Sequence, residues 1–294
     1  MKPSSTAKRL LPFFYCLILT DTAMAIDFAS LWDFSRPDLS EQRFKEALAK
    51  ASGDDVLILQ TQIARTYGLR QDFESARKLL KQIEPDLKTA GPEARARHAL
   101  EWGRTYASAK HTPEQLTAEN KAQAKAAYET ALSTARANQL DALAIDAIHM
   151  FAFLDTAPAD QLKWGEAALA VVLASSQAEA RRWEGSVRNN IGYALHQLGR
   201  YEDALAQFRQ AVEVRARGNN PEATRVAHWM VAWTLRSLNR IDEALNIQLR
   251  LEQENAAAGK PDVYVFEELE ALYKTKGDAQ RAAHYCQLKN ATNP

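Results

Sequence analysis

Two stretches of this chain repeat the same residue pattern at an offset of 40 residues, with no gap between them. Residues 191–205 align with residues 231–245, and the alignment places Leu195 against Leu235 and Ala204 against Ala244. Each stretch holds two apolar segments of helical spacing separated by a short polar turn. A single helix pair of this size does not bury its apolar stripe alone. The repeat therefore predicts several copies stacked into a solenoid.

The composition favours helices along the whole chain. Alanine, leucine, glutamate, lysine, arginine and glutamine dominate, and all of them are good helix formers. No sustained run alternates β-branched with polar residues, as a half-buried strand would require. We therefore predict an all-α fold.

The copies share one arrangement of small and large residues. The first helix has a small residue followed three positions later by an aromatic residue or leucine. The second helix has an alanine, a large apolar residue four positions on, and a smaller residue three further. The copies are marked by Ala64, Tyr67, Phe73, Ala76, Leu80 and Ile83; by Gly103, Tyr106, Ala124, Tyr128 and Ala131; by Ala167, Val171 and Ala174; by Gly192, Leu195, Ala204, Phe208 and Ala211; by Ala232, Leu235, Ala244, Gln248 and Leu251; and by Glu270, Tyr273, Ala282, Cys286 and Lys289.

This arrangement resembles the tetratricopeptide repeat (TPR). The resemblance implies a right-handed superhelical solenoid of about six helix–turn–helix repeats over residues 54–290. The spacing of the best pair exceeds the roughly 34 residues of the standard repeat and is similar to the extended repeats of kinesin light chains. At about 138–177 the register stays open, because Pro158 falls where the first helix of that copy would end. Gln248 should loosen its contact, and polar Glu270 and Lys289 fit a terminal cap.

The N-terminal residues have the order of a secretory signal peptide. Lys2, Lys8 and Arg9 precede an apolar run over residues 10–20, and Ala23-Met24-Ala25 forms a small-residue cleavage site. The run is shorter than the roughly 20 residues of a spanning helix. We expect cleavage after residue 25, no stable membrane insertion, and a bacterial protein that is periplasmic or secreted.

Residues 26–53 differ from the repeats and are expected to cap the N-terminal end of the solenoid. Trp32 and Phe34 should pack on the first repeat, and residues 39–51 read as an amphipathic helix. The alternative interpretation is an aromatic docking peptide.

Charge and cysteine content exclude some classes of function. Without residues 1–25, Lys plus Arg falls from 37 to 34 and Asp plus Glu from 37 to 36, a net charge of −2. A near-neutral chain lacks the basic excess that phosphate binding requires, so no nucleic-acid partner is expected. Only Cys286 remains in the mature chain, and no internal disulfide is possible.

No catalytic or metal-binding motif is present. The sequence contains no His-Glu-x-x-His, no Gly-x-Ser-x-Gly, no phosphate-binding glycine loop and no paired-cysteine site. No two of the six histidines have metal-ligand spacing on one helix face. We therefore predict a protein that is not an enzyme and has no cofactor and no metal.

The TPR resemblance implies that the first helices line a concave groove that binds peptides or helices. Arginine is suited to carboxylates, asparagine to peptide backbone, and aromatic side chains to apolar anchoring. The lysine clamp that some TPR domains use for acidic C-termini is not matched. The predicted groove residues are Arg65, Arg97, Arg104, Asn189, Asn190, Tyr193, His196, Trp229, Trp233 and Arg236.

Together these features predict a non-catalytic scaffold or adaptor that binds a protein or peptide through the groove. The alternative is a structural protein that assembles with itself through its repeat faces, and an enzyme of unrecognised type is a third. The sequence does not identify the partner.

Overall fold

The structure, a computed structural model, describes residues 26–218 and 220–292. The predicted signal peptide, residues 1–25, lies outside this part of the chain. All regular elements of the described residues are helical. The α-helices are α1 (Pro37–Leu48), α2 (Asp54–Leu69), α3 (Phe73–Ile83), α4 (Pro92–Arg104), α5 (Ala118–Ala137), α6 (Asp141–Phe151), α7 (Pro158–Ala174), α8 (Ala178–Arg181), α9 (Glu184–Gln197), α10 (Tyr201–Ala216), α11 (Pro221–Ser237), α12 (Ile241–Ala257), α13 (Val263–Thr275) and α14 (Ala279–Thr292). Short 3₁₀ helices span Glu84–Lys88 and Pro113–Gln115.

The helices after α1 form a row of packed pairs. The pairs are α2 with α3, α4 with α5, α6 with α7, α9 with α10, α11 with α12, and α13 with α14. Each pair also packs on the next one along the chain. The predicted all-α solenoid of about six repeats is confirmed. No helix in the described ranges is long and apolar enough to cross a bilayer.

In four of the pairs, one residue of the turn between the two helices has a left-handed backbone. Gly199 and Gly277 have φ of 73° and 75°. At the corresponding turns, Gln71 and Asn239 have φ of 65° and 58°. After each turn, a backbone N–H donates to a carbonyl five residues earlier, as in Arg200 N to Leu195 O at 2.9 Å. This is the Schellman ending, which satisfies the last carbonyls of the first helix and directs the chain into the second.

Small residues bring the helices of a pair close together. Five of the six alanines predicted for the second helices are buried, namely Ala76, Ala124, Ala204, Ala244 and Ala282. The sixth, Ala167, is partly exposed. In two pairs a glycine of the first helix faces an aromatic ring of the second. A Cβ atom built on Gly103 would lie 2.5 Å from Tyr128 Cε1. In these two pairs the predicted contact of a small residue with a large apolar one thus joins the two helices.

The third pair differs from the sequence interpretation. Pro158 does not disturb the first helix: α6 ends at Phe151, and Pro158 begins α7, where a proline is tolerated because its missing N–H would have no partner. The buried residues of α7 include Ala168 and Val172. The predicted markers Ala167 and Val171 are each one position away from the buried face, and Ala174 is exposed.

A close approach between repeats explains the shift in α7. A Cβ atom on Gly165 would lie 2.7 Å from Ile191 Cγ1 of α9. Gly165 thus lets α9 pack directly against the backbone of α7. Gly165, Ala168 and Val172 follow one another at helical spacing, one position from the face that the repeat pattern predicts.

The N-terminal segment folds onto the first pair. Trp32 stacks on Phe34 at 4.7 Å between ring centroids and meets Phe44 of α1 edge-on at 4.9 Å. Its Nε1 donates to Gln62 Oε1 of α2 at 3.2 Å. Phe34 remains 59% exposed. The helix predicted over 39–51 is α1, which begins earlier, at Pro37.

Candidate functional site

The first helices of the six pairs (α2, α4, α6, α9, α11 and α13) form one surface, here called the inner surface. Side chains connect neighbouring first helices across it: Arg104 Nη2 lies 2.5 Å from Asp146 Oδ1, and His196 Nε2 lies 2.9 Å from Ser237 Oγ. The ten predicted groove residues all lie on these helices, on α2, α4, α9 and α11. The structure thus places the predicted residues on one surface.

Four charged side chains from α2, α4 and α6 form an ionic cluster on this surface. Arg104 donates to Glu101 Oε1 and Asp146 Oδ1, both at 2.5 Å. Arg65 Nη1 lies 3.8 Å from Glu101 Oε1 and 3.9 Å from Asp146 Oδ2. Burial lowers the pKa of Arg104, but the two carboxylates outweigh it and hold the pKa above its usual value. Burial alone would raise the pKa of Asp146. The two arginines outweigh burial and hold this pKa below its usual value.

Most of the predicted arginines are already paired within the chain. Arg236 makes a bidentate pair with Glu268 of α13, at 2.8 and 2.7 Å. Arg97 pairs with Glu93 one turn earlier at 2.8 Å. Arg104 and Arg236 thus join neighbouring helices, whereas the Arg97 pair lies within α4. Asp146 and Glu268 lie on other helices and Glu101 lies on α4 itself; none of the three was singled out in the sequence.

A cavity of about 480 Å³, here called the central cavity, opens between the second, third and fourth pairs. Its polar side chains include His111, His149, Asn189 and Asn190. Tyr193 stands at one side of it. Apolar side chains form most of the remaining wall, namely Leu116, Ala152, Phe153, Trp164, Ala168 and Val187. Largely apolar walls with a few polar groups are typical of ligand-binding cavities.

Two smaller features give the central cavity its polar character. Asn189 Oδ1 is buried and accepts no hydrogen bond from the described residues. Asn190 Nδ2 lies 3.4 Å from His149 Nδ1. Burial lowers the pKa of His149, so its imidazole is neutral at pH 7. The amides and this imidazole therefore offer neutral hydrogen-bonding groups rather than charge.

A second cavity of about 230 Å³, the ionic cavity, adjoins the central cavity. The two share Ser108, Ala109, His149 and Phe153 in their walls. A third cavity of about 530 Å³ lies between the N-terminal segment and the first three pairs. Arg65 and Asp146 line both the ionic cavity and the third cavity.

Aromatic rings continue the inner surface toward the C-terminal pairs; they are Tyr193, His196, Trp229, Trp233 and Tyr264, here called the aromatic ladder. Trp233 stacks on Tyr193 at 6.0 Å, on Trp229 at 5.9 Å and on His196 at 3.5 Å between ring centroids. Tyr264 of α13 meets Trp229 edge-on at 6.4 Å. Tyr193 and Tyr264 are 45% and 63% exposed.

Two members of the ladder have unusual polar groups. Burial and the nearby Arg236 lower the pKa of His196 to about 4, so this ring is neutral at pH 7. Trp229 Nε1 is buried and donates no hydrogen bond to the described residues. Tyr264 was missed by the sequence reasoning, because the last repeat departs from the pattern at other positions. The aromatic residues already predicted on α9 and α11, Tyr193, Trp229 and Trp233, were the signal available for it.

No metal site accompanies these surfaces in the part of the chain that the structure describes. Within residues 26–218 and 220–292, no group of three or more His, Cys, Asp or Glu side chains is arranged to hold a metal ion. Cys286 is a free thiol, half-buried on α14.

Comparison with known proteins agrees with this architecture. Residues 183–251, which contain α9 to α11 and the first part of α12, match the tetratricopeptide repeat family, and the predicted TPR resemblance is confirmed. No curated protein sequence matches the chain.

The fold is similar to that of two solved structures. The apo form of RapI is 12% identical, with a TM-score of 0.69 over 90% of this chain and 74% of that one. A Signal Transduction ATPase with Numerous Domains (STAND) protein with a tetratricopeptide repeat sensor, from Pyrococcus horikoshii, is 14% identical with a TM-score of 0.65. That likeness covers 87% of this chain, which spans 39% of the STAND protein. At these identities the likeness shows the fold alone.

Proposed function

We propose that this protein is a non-catalytic TPR scaffold that binds an extended peptide, or a peptide segment of a partner protein, along its inner surface. The observation that carries the proposal is the continuity of the central cavity with the aromatic ladder. Tyr193 belongs to both, since it lines the cavity and stacks on Trp233. One ligand lying along α9 would therefore meet the polar groups of the cavity and the apolar rings of the ladder.

The dimensions of the site suit a peptide. The central cavity of about 480 Å³ has room for one or two side chains rather than a whole folded partner. The exposed rings of Tyr193 and Tyr264 offer flat apolar anchors, the residue type that contributes most to interface energies. The side-chain amides of Asn189 and Asn190 match the hydrogen-bonding pattern of a peptide backbone. An extended peptide presents its backbone amides and side chains in a row, so it can meet the asparagine amides and the aromatic rings at the same time.

We place this activity in the periplasm or outside the cell. Support for the location comes from the residue order of the leader, residues 1–25, which lies outside the described structure. Expression with residues 1–25 intact, followed by cell fractionation and N-terminal sequencing, tests it. An exported chain that begins at Ile26 supports the location, and full-length chain in the cytosol contradicts it.

A displayed library of random peptides tests the binding proposal. The immobilised wild-type protein should enrich a family of peptides. Tyr193→Ala and Asn189→Ala should weaken capture of that family, because both side chains line the central cavity. Asn246→Ala is the matched control, since Asn246 is exposed on the second helix α12. Thermal melting verifies that each variant is folded. Enrichment by wild type and all variants alike would place binding elsewhere, and no enrichment by any would overturn the proposal.

A further inference from the structure

Residues 26–34, here called the N-terminal arm, reach beyond the end of the solenoid. That end is covered by α1, whose Phe44 is completely buried and packs with Leu59 of α2. The arm instead crosses the inner surface toward the second pair, where the ring centroid of Phe28 lies 5.6 Å from Cζ of Arg97 on α4. The third cavity lies between the arm and the first three pairs. The arm therefore does more than cap the fold.

Aromatic rings attach the arm to the first helices. Cζ of Arg65 on α2 lies 5.4 Å from the ring centroids of both Trp32 and Phe34. Rings at this distance attract a guanidinium through its positive charge. Trp32 Nε1 also donates to Gln62 Oε1 at 3.2 Å. Two of the ten predicted groove residues, Arg65 and Arg97, are thus in contact with rings of the chain's own arm.

The arm is weakly attached to the helices below it. None of its nine residues is buried, and the Phe34 side chain is 59% exposed. Among the described residues, its backbone makes no hydrogen bond to α2, α4 or α6. The third cavity leaves about 530 Å³ between the arm and these helices, so the packing is incomplete. Segments with little buried surface and few hydrogen bonds open at a low cost in free energy.

We infer that the N-terminal arm is an intramolecular ligand of the inner surface. It occupies the first two pairs, and a bound peptide can extend over α2 and α4 only by displacing it. With the arm in place, the peptide is limited to the central cavity and the aromatic ladder. This inference rests on the proposed peptide binding and adds a device that controls how much of the inner surface is available.

A synthetic peptide with the sequence of residues 26–36, here called the arm peptide, tests the occupancy. It carries a C-terminal fluorophore and is titrated with the wild-type chain and with the double variant Phe28→Ala, Phe34→Ala. The variant keeps Trp32, which packs edge-on against Phe44 at 4.9 Å between ring centroids. Removal of two of the three rings should release the arm and leave the surface free for the added peptide.

The expected difference follows from the tether. A tethered segment has an effective concentration on the order of 1 mM, so an arm that binds with a Kd of about 100 μM should weaken binding of the added peptide about tenfold. The double variant should therefore bind the arm peptide about tenfold more tightly than wild type does. Leu173→Ala removes an exposed apolar side chain from the second helix α7 and is the control, which should behave as wild type. A folded double variant that binds no more tightly than wild type overturns the inference.

A crosslink within the wild-type background covers the case in which the double variant does not fold. A benzophenone amino acid replaces the exposed Phe34, and irradiation should join it to α2 near Arg65. A saturating concentration of the arm peptide should reduce this intrachain crosslink, because the arm is displaced. A crosslink that the arm peptide leaves unchanged overturns the inference.

Peptide selection then connects the arm to function. The double variant should enrich peptides that wild type binds about tenfold more weakly, since the arm competes with them in wild type. Equal affinities of both proteins for every enriched peptide overturn the inference and leave peptide binding intact. Failure of both proteins to enrich any peptide overturns the proposed function itself.

Discussion

Gly192 of α9 lies directly against the ring of Phe208 of α10: a Cβ atom on the glycine would be 2.6 Å from Phe208 Cε1. Both residues are buried, and the ring is held between the two helices. We predict that Gly192→Ala lowers the free energy of unfolding by roughly 1–3 kcal/mol, because the buried ring has to move. Urea denaturation measures the change.

Gly68→Ala is the matched control for that substitution. Gly68 lies in α2, and a Cβ atom there would meet nothing within 4 Å. The alanine should leave the free energy of unfolding unchanged or raise it by about 0.4–1 kcal/mol, because alanine gives the unfolded chain less conformational entropy than glycine does. Equal losses in both variants would show that the contact between Gly192 and Phe208 is not what joins the helices.

Gln248 occupies the position in the fifth pair that Phe208 occupies in the fourth. It is completely buried, and neither its Nε2 nor its Oε1 has a hydrogen-bond partner among the described residues. We predict that Gln248→Met raises the free energy of unfolding by about 1–3 kcal/mol, since it removes an unsatisfied amide at similar volume. Asn246→Met, at an exposed position of α12, should have little effect. A loss of stability in Gln248→Met would contradict the assignment of an unsatisfied amide.

The ionic cluster should depend strongly on Arg104. Its side chain is 12% exposed and is the shared partner of Glu101 and Asp146. Removing one member leaves buried carboxylates without compensation, so Arg104→Met should cost about 3–5 kcal/mol of unfolding free energy. Arg136→Met on α5 should cost little. Chemical denaturation measures the loss. A small loss of unfolding free energy in Arg104→Met would show that the carboxylates are compensated by water or another cation.

His196 should make stability depend on pH. Its pKa in the folded protein is about 4, below the ordinary 6.5, because of burial and Arg236. The unfolded chain therefore takes up a proton first, and the contribution of His196, complete above pH 6.5, is lost as the pH falls toward about 4. His196→Phe keeps a ring against Trp233 without titrating. Its unfolding free energy should fall less steeply than that of wild type across this interval, and parallel curves would contradict the assignment.

The sequence predicts most of the fold because the repeat pattern reports contacts within each helix pair. Ala204, Gly192 and Phe208 recur at fixed spacing, and the structure buries all of them. The third pair was harder to predict. Its buried face depends on Gly165 and the approach of Ile191 from the next repeat, a contact between pairs that no pattern within one repeat contains.

The candidate site was predicted only in part, because the repeat pattern reports positions within one pair and not contacts between pairs. The first-helix positions of Tyr193, Trp233 and Arg236 follow from the repeat, and these residues do lie on the inner surface. The partners of the arginines do not follow from it. Glu268 meets Arg236 from 32 residues away, and such a pairing depends on how neighbouring repeats are oriented.

Site-specific photo-crosslinking is the most direct test of the claim that peptides bind on the inner surface. A benzophenone amino acid replaces Tyr193 on α9 in one variant and the exposed Arg209 on α10 in the other. Each is irradiated with a peptide enriched by the wild-type protein, and the adducts are located by mass spectrometry. The account predicts crosslinks from position 193 and none above background from position 209. Crosslinks from position 209 alone would contradict it.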